Sequence, residues 1–266
     1  MAADPIRYWQ ALTTLEAADV AGRDPVLVLP LAAIEQHGPH LPLSTDLEIG
    51  LGLLRTAFAE LEPDHRCWML PPQALGASLE HHRFSGTLAL DAGLLFETIR
   101  QQGAAVAGAG VRRLVLANSH GGNTGVIKTA ALRLRADHGM LVVTACYPSF
   151  GQPDEVDLPP GEWRHGLHGG AVETAMMLHL RPDLVRTDRI ARFASLGEEL
   201  RTTHVGPEGP APFAWLADDL HPQGVTGDAR LATADLGRRL VTHYGRVLAA
   251  VLRDAASFPL DRLVSR

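Results

Sequence analysis

The chain has 266 residues, enough for one sizeable core, and its formal net charge of −6 excludes a general nucleic-acid binder, which shows a basic face. Hydrophobic residues make up 46% and charged residues 20%, which excludes a disordered chain and suits a globular enzyme. No apolar run reaches the roughly 18 residues needed to cross a bilayer.

The elements read as follows in chain order. Met1 to Gly22 carries acids and lacks a long apolar core. It does not read as a secretory signal, so a cytoplasmic location is expected. Pro25 to Leu31 is a short β-rich run, predicted as a buried strand. A polar loop rich in His, Pro and Gly follows. Asp46 stands where an N-cap would stand, before a helical pattern from Leu47 to Leu61. Arg66 to Leu70 is a second strand, stopped by Pro71 and Pro72. Residues 74–88 form a loop, and Asp91 caps a helix to about Ala107. Arg113 to Asn118 is a third strand that runs straight into Ser119-His-Gly-Gly-Asn123, with a helix to about His138. Met140 to Ala145 is a fourth strand. Residues 148–168 read as loop, Gly170 to Leu180 as an amphipathic helix, 203–228 as a covering segment and Arg230 to Arg253 as the closing helix. Cys67 and Cys146 each border an apolar run and read as reduced, buried strand residues. Strands alternating with helices predict an α/β fold with a mostly parallel sheet, in one domain over residues 1–266.

Three clusters of metal-type ligands stand out. Glu35-Gln-His37, with Asp46 beyond it, follows the first strand. His120 follows the third. His168 and Glu173 follow the fourth after a longer loop. In open α/β sheets, ligands gather at the strands' C-terminal edge, so these residues can converge there. Two divalent ions bring about four positive charges, which carboxylates offset while imidazoles complete the shell. Asp46 is the candidate bridge between two ions. A water held between them loses a proton near neutral pH and becomes a nucleophile. His168 is the candidate that protonates the departing nitrogen. Each cluster alone has a plainer reading. A lone histidine after a strand commonly bonds to backbone, Glu173 suits a solvated helix face, and Ser119 to Asn123 suits an anion-binding turn for a phosphate.

Pro30-Leu-Ala-Ala-Ile-Glu-Gln-His-Gly-Pro-His-Leu-Pro-Leu-Ser-Thr-Asp46 resembles the signature of the creatininase family. Ser119-His-Gly-Gly-Asn123 is similar to that family's Gly-His-Gly-Gly-Asn element, and Phe84-Ser-Gly-Thr87 to its Phe-Pro-Gly-Thr element. His168-Gly-Gly-Ala-Val-Glu-Thr174 resembles its third element. Gly224-Val-Thr-Gly-Asp228 with Ala232-Thr233 resembles its late segment. The resemblance implies a three-layer αβα fold, a homohexamer and two divalent metal ions (Zn, Mn or Fe). It implies Glu35, Asp46 and His120 on one metal, His37 and Asp46 on the other, and proton transfer at His168. Creatininases carry a further glutamate at the position of Gly122 and a tyrosine at that of Gly121. This sequence therefore resembles the wider Gly-Gly subgroup, whose members include a nucleotide deformylase and a maturation peptidase. Either Glu173 supplies the missing ligand, or the second metal binds more weakly. Glu80 and His81 match a Glu-His pair at the pocket mouth in that subgroup. The implied function is metal-dependent hydrolysis of an amide, cyclic amide, formamide or small-peptide C–N bond. The substrate is a small molecule, with neither nucleic acid nor membrane as partner. A non-catalytic small-molecule-binding or scaffold member of the same fold is the alternative.

Overall fold

Residues 4–200, 202 and 204–263 are described by the structure, a computed structural model. Its central sheet has four parallel strands in the order β2-β1-β3-β4: β1 (Val26–Leu31), β2 (Cys67–Met69), β3 (Arg113–Asn118) and β4 (Leu141–Cys146). Val28 pairs with Met69 on one side and Val115 on the other. Pro30 has no N–H to give a ladder. It is tolerated because β1 bonds towards β2 at this position, and β2 has already ended at Met69; the Pro30 carbonyl takes the Gln73 amide instead.

Nine helices complete the described chain: α1 (Thr14–Ala21), α2 (Thr45–Ala59), α3 (Ala92–Gly108), α4 (Thr124–His138), α5 (Pro160–His165), α6 (Ala171–Leu180), α7 (Leu196–Glu199), α8 (Ala217–Leu220) and α9 (Ala234–Ser257). Strand side chains alternate between two faces. Leu27, Leu29, Leu114 and Leu116 pack with α3 and α4, through Leu95, Ile99, Ile127 and Leu134. Val26, Val28, Val115 and Ala117 pack with α2, α6 and α9, through Ile49, Leu53, Met176 and Leu248. Both faces are covered, which is why β1 and β3 read as continuous apolar runs. The result is the three-layer αβα arrangement.

Four short strands follow β4 in the chain: β5 (Arg192–Phe193), β6 (Val205–Gly206), β7 (Ala211–Pro212) and β8 (Gly227–Asp228). β5 pairs with β8, and β6 with β7. They belong to the segments laid over the sheet's C-terminal edge. Two sequence expectations change here. Residues 148–168, expected as loop, contain α5, whose start at Pro160 suits the proline that its first turn tolerates. Asp46 is not an N-cap. The helix begins earlier, at Thr45 after Ser44, and Asp46 lies inside its first turn. An acid there interacts favourably with the helix N-terminus without capping it.

Both cysteines are free. Cys67 is buried, and burial pushes its thiol up to about 12. Cys146 is half-buried and accepts from the Asn118 side-chain amide at 3.3 Å. A thiol reagent at mildly alkaline pH is expected to titrate at most one thiol of the folded protein, Cys146. In guanidinium chloride it should titrate both. Labelling of Cys67 in the folded protein, read by peptide mass, would contradict this packing. No described helix is long and apolar enough to cross a membrane.

Candidate metal centre

Three segments meet just past the C-terminal ends of β1 and β3. The stretch after β1 carries Glu35 and His37, then turns into α2 with Asp46. The stretch after β3 places His120 just before the 3-10 turn Gly121–Asn123 that leads into α4. The turn into α6 carries His168 and Glu173, and it is tied to the sheet edge where Thr226 donates its amide to the His168 carbonyl at 2.8 Å. Glu35, His37, Asp46 and His120 are buried, and the Glu173 side chain is 14% exposed, facing a cavity rather than open solvent. The solvated-face reading of Glu173 is therefore corrected. Its carboxylate turns back to accept the Gly169 amide at 2.7 Å and the Tyr147 hydroxyl at 3.4 Å.

The distances are those of a ligand shell. Asp46 lies between two imidazoles: Oδ1 is 3.3 Å from His37 Nε2, and Oδ2 is 3.3 Å from His120 Nδ1. Glu35 Oε2 is 3.3 Å from His120 Nε2, and Glu173 Oε2 is 3.9 Å from His37 Nε2. Three sets of ligand atoms each fit within 4.8 Å: Glu35-Asp46-His120, His37-Asp46-Glu173 and Glu35-His37-His168. Asp46 belongs to two of them, and all six sequence candidates are present.

Whether a metal suits these residues can be tested on their hydrogen bonds. Both carboxylate oxygens of Glu35, Nε2 of His37 and Oδ2 of Asp46 are buried without a hydrogen-bond partner. Each such atom costs about 1–3 kcal/mol if left unsatisfied. Divalent cations bonded to mixed oxygen and imidazole donors satisfy all of them at once, and Mn, Fe and Zn accept that donor set. The residues fit the group. The backbone also sets the imidazoles. His37 Nδ1 is 3.1 Å from the Glu35 carbonyl, so its N–H belongs there and Nε2 faces the carboxylates. His120 Nε2 is 2.9 Å from the Ala77 carbonyl, which leaves Nδ1 for the centre.

The electrostatics of these side chains point the same way. Burial pulls the His37 imidazole down, but the Asp46, Glu173 and Glu35 carboxylates together outweigh it and hold it up at about 9. His120 is likewise held well above its usual value, against burial, by Glu35 and Asp46. Burial and Asp46 push Glu35 up, yet the His120 and His168 imidazoles together hold it below its usual value. Protons thus stand in for cations between these groups, and metal binding releases such protons. His168 differs: burial and the nearby His37 pull it below its usual value. It sits in the middle of a stack, with ring centroids 4.2 Å from His37 and 4.3 Å from His81.

A cavity of about 600 Å³ opens from the centre, with Trp163, Phe213, Trp215 and Tyr244 among its walls. The segment 203–228, expected to cover something, supplies Pro207, Glu208, Phe213, Ala214 and Trp215. His81, placed by sequence at the pocket mouth, is instead a buried wall residue 3.4 Å from Glu35 Oε1, with its Nδ1 accepting from the Gln36 amide at 2.8 Å. Glu80 lines the cavity but joins none of the three ligand sets. The phosphate-cradle reading of Ser119 to Asn123 weakens. Asn123 is spent on protein, accepting from the Ala77 amide and donating to the Ala32 carbonyl. No lysine or arginine lines the cavity among the described residues. Sequence reasoning missed Tyr147, Trp163 and Glu162, for which loop composition carried no signal.

The family model described as creatinine amidohydrolase matches residues 10–252. The chain belongs to the creatininase family. A mycofactocin precursor peptide peptidase of Mycobacterium tuberculosis is 34% identical over 241 residues, covering 86% of this chain and 85% of that protein. The creatinine amidohydrolase of Pseudomonas putida is 33% identical over 189 residues, covering 65% of this chain and 71% of that protein. A solved structure named "Creatininase Mn" superposes with a TM-score of 0.76 at 27% identity, over 94% of this chain and 98% of its own. A mutant creatininase of "Zn-Zn type" gives 0.72 at 27% identity, over 92% and 96%. This creatininase-family chain is thus an amidohydrolase whose relatives act on creatinine or on a precursor peptide.

Proposed function

We propose that the chain hydrolyses an amide-type C–N bond in a small molecule or short peptide, using two divalent ions. The observation that carries the reading is the set of buried, unpartnered carboxylate and imidazole atoms of Glu35, His37 and Asp46 at one edge of the sheet. Glu35, Asp46 and His120 would hold one ion, and His37, Asp46 and Glu173 the other, with Asp46 between them. When bound, the ions supply an acidified water and polarise the scissile carbonyl.

The protein's part is to hold, orient and move protons. His168 Nε2 gives its proton to the Gln36 carbonyl at 2.7 Å, so Nδ1 is free to take a proton. That atom lies 3.7 Å from Glu35 Oε1, beside the ligand shell. His168 accepts a proton there and returns it to the leaving nitrogen. Tyr147 and the Gly169 amide hold the Glu173 carboxylate in position. The aromatic walls bind the remainder of the substrate and exclude water.

The cavity is of the size that takes a drug-sized ligand or a short peptide end. With Gly121 and Gly122 where creatininases carry tyrosine and glutamate, this supports a place in the Gly-Gly subgroup rather than creatinine as substrate. The homohexamer and the choice among Zn, Mn and Fe belong to the same proposal. The test is a panel of formamides, lactams including creatinine, and short peptides, assayed with Mn, Zn or Fe added. Turnover of at least one class is expected, abolished by a chelator and restored by the metal. A metal-loaded protein that cleaves no member but still binds one would favour the non-catalytic alternative.

A further inference from the structure

Glu80 enters the cavity where Gly122 has no side chain. A Cβ on Gly122 would lie 2.4 Å from Glu80 Oε1, 2.5 Å from the Ala77 carbonyl oxygen and 2.5 Å from His120 Nε2, so only glycine leaves the carboxylate where it stands. Glu80 Oε1 is 3.7 Å from His120 Nε2, the nitrogen that lies 2.9 Å from the Ala77 carbonyl and 3.3 Å from Glu35 Oε2. Its carboxylate is absent from all three ligand sets. It is therefore a carboxylate in substrate space that the metal centre does not use. A carboxylate only accepts hydrogen bonds when ionised. No lysine or arginine among the described lining residues neutralises it. Trp163 and Trp215 supply aromatic surface to the same cavity, and ring faces attract cations.

We propose that Glu80 is the recognition point for a protonated amine of the substrate, in a subsite that Gly122 keeps open. The proposal rests on this cavity being the substrate pocket. It narrows the substrate to an amide or short peptide that carries an ammonium group near the scissile bond. Substrates with a phosphate or carboxylate at that place are disfavoured. The pairing of carboxylate with ammonium is a charge-assisted hydrogen bond, stronger than a neutral one.

The test uses binding and needs no turnover. Zinc-loaded protein is titrated calorimetrically with benzylamine and with its neutral counterpart, benzyl alcohol. The wild type is expected to prefer benzylamine by about tenfold or more. Glu80→Gln should bring the two to parity while metal content stays at the wild-type level. Gly122→Ala, whose methyl crowds the Glu80 carboxylate, should lower the preference too, and it counts only at wild-type metal content because the methyl also meets His120. Parity in the wild type, or a preference that survives Glu80→Gln, overturns the proposal. Loss of metal in Glu80→Gln also overturns it, since Glu80 would then be a ligand. If Gly122→Ala does not fold, Glu80→Gln decides alone. A protein that binds benzylamine as expected yet cleaves no amide refutes the hydrolase reading and leaves this subsite standing.

Discussion

Asp46→Ala is expected to empty the whole centre rather than half of it. Asp46 is the one carboxylate shared by the Glu35-Asp46-His120 and His37-Asp46-Glu173 sets. Loss of an outer-shell partner alone typically costs 10–100-fold in metal affinity, at the order-of-magnitude level, and a shared ligand costs more. Metal content should fall below about a tenth of wild type and turnover by about a thousandfold or more. Plasma emission on dialysed protein checks the first and steady-state assay the second. The fold should survive, because its cores lie on the sheet faces and not at the ligand edge. The variant's unfolding midpoint should match that of chelator-stripped wild type. Full metal with full activity in Asp46→Ala would end the assignment. Retention of one ion would show that the two sets do not depend on Asp46 equally.

The second large effect is expected at Glu162, which touches no ligand set. Its side chain is buried, with Oε1 accepting the Ala171 amide at 2.7 Å and Oε2 the Asp228 amide at 2.6 Å. It thus pins the start of α6 and the short strand β8 to α5. An anion at a helix start is favoured, and hydrogen bonds to a charged acceptor contribute about 1.5–3 kcal/mol each. Three glycines make room for it: a Cβ on Gly166, Gly170 or Gly227 would come within 2.3, 2.6 and 2.6 Å of Oε1. Glu162→Ala should therefore cost about 3 kcal/mol or more of stability, read from urea unfolding. Glu162→Gln should recover less than half of that. Its amide offers one acceptor oxygen and must turn its N–H₂ towards the other backbone donor. A loss under about 1 kcal/mol in Glu162→Ala would mean that the two amides find water easily.

Much of this was legible in the sequence because strand ends and polar interruptions are local signals. The apolar runs before Glu35 and His120 marked the strands, and their C-terminal ends marked the edge where ligands gather. Asp91 capped α3 as its type suggests, with its side chain accepting the Gly93 amide at 2.7 Å. The start of α2 was misplaced because Asp46 resembles a cap by type, while its burial between two imidazoles follows from tertiary convergence. His81 and Glu162 were not legible as buried groups for a related reason. Each lies in a segment of loop composition, and only the path of the chain over the sheet edge decides which of its polar residues turn inward. Trp163 and Trp215 come from stretches that are far apart in sequence, and they share a wall only once the covering segment has closed.

The ligand order along the chain has a consequence for how the molecule holds together. The first proposed ligand is Glu35 and the last Glu173, and β1, central in the sheet, finds its neighbour β3 only after the whole of α2, β2 and α3. No fragment short of α6 contains both ion sets, so an unfolded chain has little with which to compete for the cations. Binding that favours the native form so strongly raises its free energy of unfolding by RT ln(1 + [L]/Kd). Ions held there as proposed would act as a latch on the entire domain, and the protein's melting temperature would become a gauge of how much free metal surrounds it.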